Sequence, residues 1–222
     1  SKEWRMAGYD RSTVKVYETS IQETDGVIEI HSRFSIASPA KQPFLRLEAV
    51  WKVDLDGTIF LSIDGNFDKV FPYLPRFGLG LKLQNDKTDV TYYGEVPYES
   101  YSDKHRASWG DRFDTTVDDM FEDYVFQQEN GSHYNCQYAS VGNLYAKGKK
   151  PFSFQASRYS EKELDEKAHN FELVPSDGIY VALDYKQSGI GSNSCGPRLA
   201  EKYQLREEKI EWEISIRFDN GN

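Results

Sequence analysis

Three segments of the sequence combine aromatic rings with carboxylate and amide side chains, a combination that suits a hydroxylated ligand. They are residues 92–112 (YYGEVPYESYSDKHRASWGDR), 124–138 (YVFQQENGSHYNCQY) and 184–197 (DYKQSGIGSNSCGP). Aromatic rings cover the C–H faces of a sugar, and planar amides bind its hydroxyl groups. The segments therefore predict a carbohydrate-binding surface. Ordinary loops of a β-protein have a similar composition, and that alternative stays open.

Other residues that could bind a metal ion or catalyse a reaction do not have the spacing that such sites require. The DLDG stretch at 54–57 resembles the start of a calcium-binding loop, but Gly65 stands where such a loop needs a bidentate glutamate. The acidic residues within 118–123 fit a solvated surface better than a catalytic pair. The histidines show no metal-ligand spacing with one another: His31, His105, His133 and His169. None of these patterns predicts a metal site.

The elements that must position the three segments are strands, because apolar and polar residues alternate with a period of two. One apolar face runs through Leu45, Leu47, Ala49, Trp51, Val53 and Leu55, and another through Ile210, Trp212, Ile214, Ile216 and Phe218. Asp25-Gly26 and Asp56-Gly57 are typical of tight hairpin turns. We expect an all-β fold, a large antiparallel β-sandwich whose sheets pack face to face.

Few helices are expected. The stretch SEKELDEKAHN opens with Ser160 and Glu163 at the spacing of a capping box, which predicts a short helix. The stretch TTVDDMFEDYV could hold one or two helical turns. Residues 178–188 and 198–205 both suggest extended chain on either side of a loop rich in glycine.

Size and charge restrict the class of protein. The 222 residues, 38% of them hydrophobic, predict one domain over residues 1–222 with a large core, and the first residue, Ser1, suggests a piece of a longer polypeptide. A net charge of −9 argues against nucleic acid and anionic membranes as partners. Two cysteines form no disulfide framework or zinc motif, and without an apolar leader the expected location is the cytoplasm.

Read in order, four stretches resemble motifs of the C-terminal domain of large β-galactosidases of glycoside hydrolase family 2. They are YYGEVPYESYSDKH, DYVFQQENG, FSFQASRYSEKELDEKAH and LDYKQSGIGSNSCGPRLAEKYQL. The resemblance is collinear and spans roughly residues 4 to 218. Two positions depart from it, since Ser100 replaces the usual asparagine and Gln128 replaces a common proline or serine.

The resemblance implies a supersandwich of the galactose-mutarotase type. It also implies that the catalytic glutamates lie in a separate TIM barrel and act by the retaining route. Such a barrel needs about 250 residues of alternating strand and helix, so no catalytic residue is expected here. The implied partners are the remaining domains or large subunit, a galactoside such as lactose, and further copies in a homo-oligomer. Mg and Na are implied for the complete enzyme and no cofactor for this part.

In many members of the family a tryptophan at the position of Cys195 offers its face to the sugar. A thiol cannot stack on a sugar, so the resemblance predicts a pocket rim at Asn193, Ser194 and Cys195 that lacks this aromatic platform. A buried core thiol is the alternative for Cys195, and turn formation is the first expectation for Asn193.

Five further motif residues are expected to connect loops through buried hydrogen bonds, with ligand binding as the second possibility: Glu99, Tyr101, Asp103, Glu129 and Asn130. The alternative function is a free-standing carbohydrate-binding or mutarotase-like module. A mutarotase needs a histidine and a glutamate at the sugar, and His105 with Glu129 is the pair that the sequence offers. A purely structural domain that supports oligomer contacts is a third possibility.

Overall fold

A computed structural model describes residues 2–84, 87–191 and 198–219. These residues form eleven strands: β1 Thr13–Thr24, β2 Val27–Ala37, β3 Leu45–Val53, β4 Ile59–Phe67, β5 Arg76–Leu83, β6 Asp89–Val96, β7 Trp109–Thr116, β8 Ser132–Val141, β9 Leu144–Ser157, β10 Ile179–Gln187 and β11 Lys209–Phe218. Two short helices, α1 Lys2–Ala7 and α2 Glu161–Glu166, accompany them. All strand pairs are antiparallel, so the predicted all-β fold is confirmed.

The strands hydrogen-bond in the order β1-β2-β3-β4-β11-β9-β8-β6-β7, with β10 between β9 and β5. Strand β9 belongs to both halves of this arrangement. Its residues 144–148 pair with β11 and its residues 153–157 pair with β10, while β8 runs along its other edge. Buried residues from both halves form a single apolar cluster, as in a β-sandwich.

Both predicted hairpin turns are confirmed. Thr24 pairs with Val27, so Asp25 and Gly26 form the two-residue turn between β1 and β2, and both have positive φ (52° and 79°). Gly57, with φ 79°, lies in the turn between β3 and β4. Turns of this kind need left-handed backbone, which explains the preference for Asp-Gly.

The predicted apolar faces are largely buried. Of the first face, Leu45, Leu47 and Ala49 are in the core, as are Ile210, Trp212, Ile214 and Ile216 of β11. The prediction is wrong for Leu55, which lies beyond the end of β3 in the turn and is 78% exposed. Phe218, the last residue of β11, is also exposed.

The helix at Ser160 is confirmed, since its Oγ accepts the backbone N–H of Glu163 at 3.0 Å. One other expectation was wrong. Residues 198–205 contain a 3₁₀ turn, Glu201–Tyr203, where extended chain was expected. Residues 117–120 form a single turn, in which the N–H of Met120 donates to the Thr116 carbonyl at 3.2 Å. No helix among the described residues is long and apolar enough to cross a membrane.

Candidate functional site: the loop junction

The three aromatic and polar segments meet at one end of the sheet. The end of β6 lies beside the start of β8 because the two strands are antiparallel neighbours. Hydrogen bonds then connect the residues after β6 to those before β8 and after β10. We call this meeting point the loop junction and define it as residues 99–105, 127–133 and 187–191.

Asp103 joins the first of these loops to the third. Its Oδ1 accepts the backbone N–H of Ile190 at 3.1 Å, and its Oδ2 accepts that of Gly191 at 2.8 Å. Gly189 allows this approach, because a Cβ atom there would lie 2.4 Å from the Asp103 Cγ. The carboxylate therefore fixes the chain immediately before residue 192.

The residues predicted to form the pocket rim come next in the sequence. Asn193, Ser194 and Cys195 lie outside the described residues.

Glu99 joins the first loop to the second. Its carboxylate accepts the backbone N–H of Gly131 at 2.9 Å, and it also accepts the Lys104 ammonium group and the Tyr124 hydroxyl. Burial opposes the charge on Glu99, but these three donors outweigh it and lower the pKa of the carboxyl group. Glu99 is 6% exposed and stays ionised near neutral pH.

Tyr101 and Asn130 complete the connection. Tyr101 is buried, its hydroxyl donates to Glu99 Oε2 at 3.4 Å, and burial raises the pKa of that hydroxyl. The Asn130 side chain accepts the N–H of Glu122 at 3.2 Å and donates to the carbonyl of Gln128 at 3.0 Å. Both side chains therefore bond within the loops that carry them.

A buried arginine lies beside the junction. Arg76 donates to Asp184 through Nε at 3.1 Å and through Nη2 at 2.5 Å, and to Gln155 at 3.1 Å. Glu129 at 3.5 Å and Glu161 at 2.8 Å complete its ion pairs. Burial opposes the guanidinium charge, but the facing carboxylates outweigh it and raise the pKa of Arg76. Arg76 is therefore a permanent cation surrounded by acids.

Glu129 connects this cluster to the junction. Its Oε1 accepts Gln187 Nε2 at 3.0 Å, and Gln187 in turn accepts the Ser132 hydroxyl at 3.0 Å. Burial raises the pKa of Glu129, and Arg76 offsets that only in part. The start of β8 and the end of β10 are thereby bonded to each other.

The histidines of this region have separate partners. His133 is buried, and its Nδ1 lies 2.9 Å from the Tyr92 hydroxyl; burial lowers its pKa to about 4. His105 bonds to the Tyr101 carbonyl at 2.9 Å. In the part of the chain that the structure describes, no hydrogen bond joins His105 to Glu129, the pair that a mutarotase-like reaction would use.

Sequence reasoning missed Arg76, Gln155 and Gln187 as members of the site. Arg76 is a single cation at the start of an apolar strand, and its partner Asp184 is 108 positions away. Gly78 was the available signal, since a Cβ there would lie 2.4 Å from the Asp184 carboxylate. Such a close approach requires glycine, but it is visible only once β5 and β10 are paired.

The chemical capacity of the junction is limited by its own hydrogen bonds. Its acidic side chains accept donors from the protein: Glu99, Asp103 and Glu129. No group of three or more His, Cys, Asp or Glu among the described residues is arranged to hold a metal ion. The arrangement is suited to holding loops in a fixed relation, which is what the wall of a binding site requires.

Comparison with known proteins places the chain in a family. A family model described as the β-galactosidase small chain matches residues 1–218. The chain belongs to this family, and it is a small-chain region of the β-galactosidases.

Two curated relatives show the extent of the match. The chain is 41% identical over 216 residues to a β-galactosidase of Actinobacillus pleuropneumoniae, a match that covers 97% of this chain and 21% of the relative. It is 37% identical over 220 residues to a β-galactosidase of Staphylococcus xylosus, covering 97% and 22%. The chain thus spans about a fifth of the length of these relatives.

A solved structure also aligns with most of the chain. Galactose 1-epimerase from Lactobacillus acidophilus NCFM aligns with a TM-score of 0.49 and 12% identity, over 92% of this chain and 67% of that one.

Proposed function

We propose that this chain forms a non-catalytic wall of the galactoside pocket in a larger β-galactosidase, whose bond-breaking residues lie in the remainder of the enzyme. The state of the junction carboxylates supports the proposal. A retaining glycosidase needs two carboxyl groups about 5 Å apart that face the sugar. Here Asp103 is bonded to two backbone N–H groups, and Glu99 to a lysine, a tyrosine and a backbone N–H. Both carboxylates are occupied by donors of the protein itself.

In this proposal Asn193, Ser194 and Cys195 form the rim of the pocket. The segment that leads to them is fixed by Asp103, so its position depends on the loops at 99–105 and 127–133. The roles proposed for Glu99, Tyr101, Asp103, Glu129 and Asn130 are therefore positioning roles. They hold the rim, and the remainder of the enzyme supplies the chemistry.

The biological setting follows from the same proposal. The substrate is a β-galactoside such as lactose, the location is the cytoplasm, and the complete enzyme is a homo-oligomer that uses Mg and Na outside this chain. A location with reduced thiols is supported by Cys136, which is buried and unpaired.

Complementation tests the proposal. The purified chain is mixed with the Actinobacillus pleuropneumoniae β-galactosidase from which the matching region has been removed. Hydrolysis of a chromogenic galactoside is measured for each part and for the mixture. We expect activity in the mixture and none in either part. Activity of this chain alone would contradict the proposal, and so would a mixture that binds but stays inactive.

A matched pair of variants tests the positioning role. Asp103→Ala should lower the restored activity, because it frees the segment before the rim. Asp165→Ala should leave it unchanged, since Asp165 is an exposed acid on α2 whose only described ion pair, with Arg5, spans 3.7 Å. Equal activity of the two variants would exclude a role for Asp103.

A further inference from the structure

The apolar face of the sheet continues beyond the core onto the β1–β2 hairpin. Ile36 and Phe34 of β2 pair with Leu45 and Leu47 of the core strand β3. On the other side, Ile36 pairs with Val14 of β1 and Phe34 pairs with Val16. Side chains of directly paired residues share a face, so these β1 residues point to the same side as the core. We call the exposed apolar residues of this side the hairpin face: Val14, Val16, Ile21 and Ile28; Thr19 and Glu23 are the exposed polar residues of β1 on the same side.

The hairpin face is uncovered. Its four side chains are 59%, 57%, 68% and 38% exposed, in chain order, and every residue of β1 is exposed. The opposite side of the same hairpin carries polar residues: Lys15, Glu18, Gln22, Glu29, His31 and Arg33. This alternation of apolar and polar residues is typical of strands with one buried side and is not expected of a strand whose two sides both face water. The pattern indicates that the hairpin face is buried in the complete protein.

The edge of the sheet is open at the same place. In the described part of the chain β1 pairs only with β2, so the outer edge of its twelve residues has no strand partner. An exposed edge strand of this length, with apolar residues on one side, is a site for pairing with another strand.

The area of the hairpin face favours an occupant from the same polypeptide. Exposed patches on monomers are a few hundred Å², whereas a stable dimer buries about 800 Å² per partner. The four partly exposed side chains of the hairpin face form a patch of the size found on monomers, which is too small for a stable dimer. A segment of the same polypeptide can use so small a patch, because it does not lose the freedom of a separate molecule on docking. In the relatives the matched region is only 21% and 22% of one longer polypeptide.

We propose that the hairpin face is covered by the remainder of the β-galactosidase polypeptide, which packs an apolar surface on Val14, Val16, Ile21 and Ile28 and pairs a strand with the free edge of β1. This proposal rests on the proposed function, because it takes the chain to be part of a larger β-galactosidase. Beyond the proposed function, it identifies the surface of this chain on which the rest of the enzyme packs.

Cysteine accessibility tests it. The chain replaces the matching region of the Actinobacillus pleuropneumoniae enzyme and keeps Cys195, because mass spectrometry counts the label on each peptide separately; Cys136 is fully buried and its thiol pKa is raised by burial. Ile21→Cys reports the hairpin face, and the neighbouring Gln22→Cys reports the polar side of the same strand. Maleimide labelling is followed by mass spectrometry for each variant, in the chimera and in the isolated chain. In the chimera we expect position 21 to react at least about ten times more slowly than position 22, since a covered thiol reacts only through local opening. In the isolated chain both should react rapidly.

The outcomes separate this proposal from the previous one. Equal labelling of the two positions in a chimera that hydrolyses galactosides would overturn the covered hairpin face and leave the proposed function intact. An inactive chimera with equal labelling would overturn both. Protection of position 21 in the isolated chain, together with the mass of a dimer, would assign the face to a second copy and contradict the proposal.

Discussion

The carboxylate of Asp103 accepts the backbone N–H of Gly191 at 2.8 Å, although 88 positions separate the two residues in the sequence. This contact joins the loop after β6 to the loop after β10. It explains how loops from distant parts of the chain keep one relative position, because a charged acceptor with two backbone donors forms strong and directional bonds.

Removing the Asp103 carboxylate should destabilise the protein. Asp103→Ala leaves two backbone N–H groups without their acceptor, for which we expect a loss of about 1–3 kcal/mol in the free energy of unfolding. Urea unfolding followed by circular dichroism measures it, and proteolysis near residue 191 should become faster. Asp165→Ala is the control and should change stability by less than about 1 kcal/mol. An equal effect of the two variants would show that the contact contributes nothing.

Gly189→Ala should act through the same contact. The new Cβ would lie 2.4 Å from the Asp103 Cγ, so one of the two must move. Because both substitutions break one contact, the double variant with Asp103→Ala should lose less stability than the sum of the single losses. Gly110→Ala is the matched control, since its Cβ would meet nothing within 4 Å. Full additivity in the double-mutant cycle would argue against this coupling.

Arg76→Met should be among the most damaging substitutions. It leaves Asp184, which is 3% exposed, with a buried charge and no cation, and we expect a loss of about 3–5 kcal/mol. Arg112→Met removes an exposed arginine that is paired with Asp114 at 3.0 Å and should cost less than about 1 kcal/mol. Thermal and urea unfolding of both variants provide the comparison. Similar midpoints would mean that the buried cluster adds no stability.

Stability should fall in mild acid because of His133. Its pKa is about 4 in the folded protein and 6.5 in the unfolded chain, so the unfolded state binds the proton first as the pH falls. The free energy of unfolding is therefore unaffected by His133 above about pH 6.5 and falls as the pH is lowered towards 4. Between pH 7 and pH 5 we expect it to fall by about 2 kcal/mol.

The matched variants for this pH effect are His133→Gln and His31→Gln. His133→Gln keeps an amide beside Tyr92 and should remove most of the loss between pH 7 and pH 5. His31→Gln replaces an exposed histidine and should retain the loss. The free energy of unfolding of each variant is measured at pH 7 and pH 5. If His133→Gln loses as much stability between these pH values as the unsubstituted protein, His133 is not the cause of the loss.

Cys195→Trp tests the proposed rim in the complete enzyme. An added aromatic platform should stabilise bound lactose by about 1–2 kcal/mol, which lowers KM several-fold or shifts hydrolysis against transfer. Steady-state kinetics and product analysis measure both effects. Cys195→Ser, which adds no ring, is the control. If neither KM nor the product ratio changes in Cys195→Trp, the rim is not at this position.

Most of the fold follows from local rules that the sequence displays. Alternation predicts the strands, and Asp25-Gly26 and Asp56-Gly57 predict the hairpins, since both signals depend on neighbouring residues alone. One error is the 3₁₀ turn at Glu201–Tyr203, and the others lie at element ends. Leu55 continues the alternation but lies past the last paired residue, and the helix α1 escaped prediction because its anchor is distant: Trp4 donates to the Tyr73 carbonyl at 2.8 Å.

The site was predictable only in part. The aromatic and amide composition singled out the three segments that form the loop junction. It gave no indication of Arg76, because a buried cation is specified by partners from other strands: Asp184, Gln155 and Glu129 are 108, 79 and 53 positions away. Such a cluster exists only after the strands have paired, and no local pattern encodes it.

The position of β11 between β4 and β9 has a consequence for biosynthesis. Lys209 at the start of β11 donates to Asp64 of β4, 145 positions earlier in the sequence. Strand β4 is therefore synthesised long before the strand with which it pairs. Until the last strand leaves the ribosome, β4 has an open edge that other nascent chains can pair with. The edge of β4 is therefore the place where we expect a partly synthesised chain to aggregate.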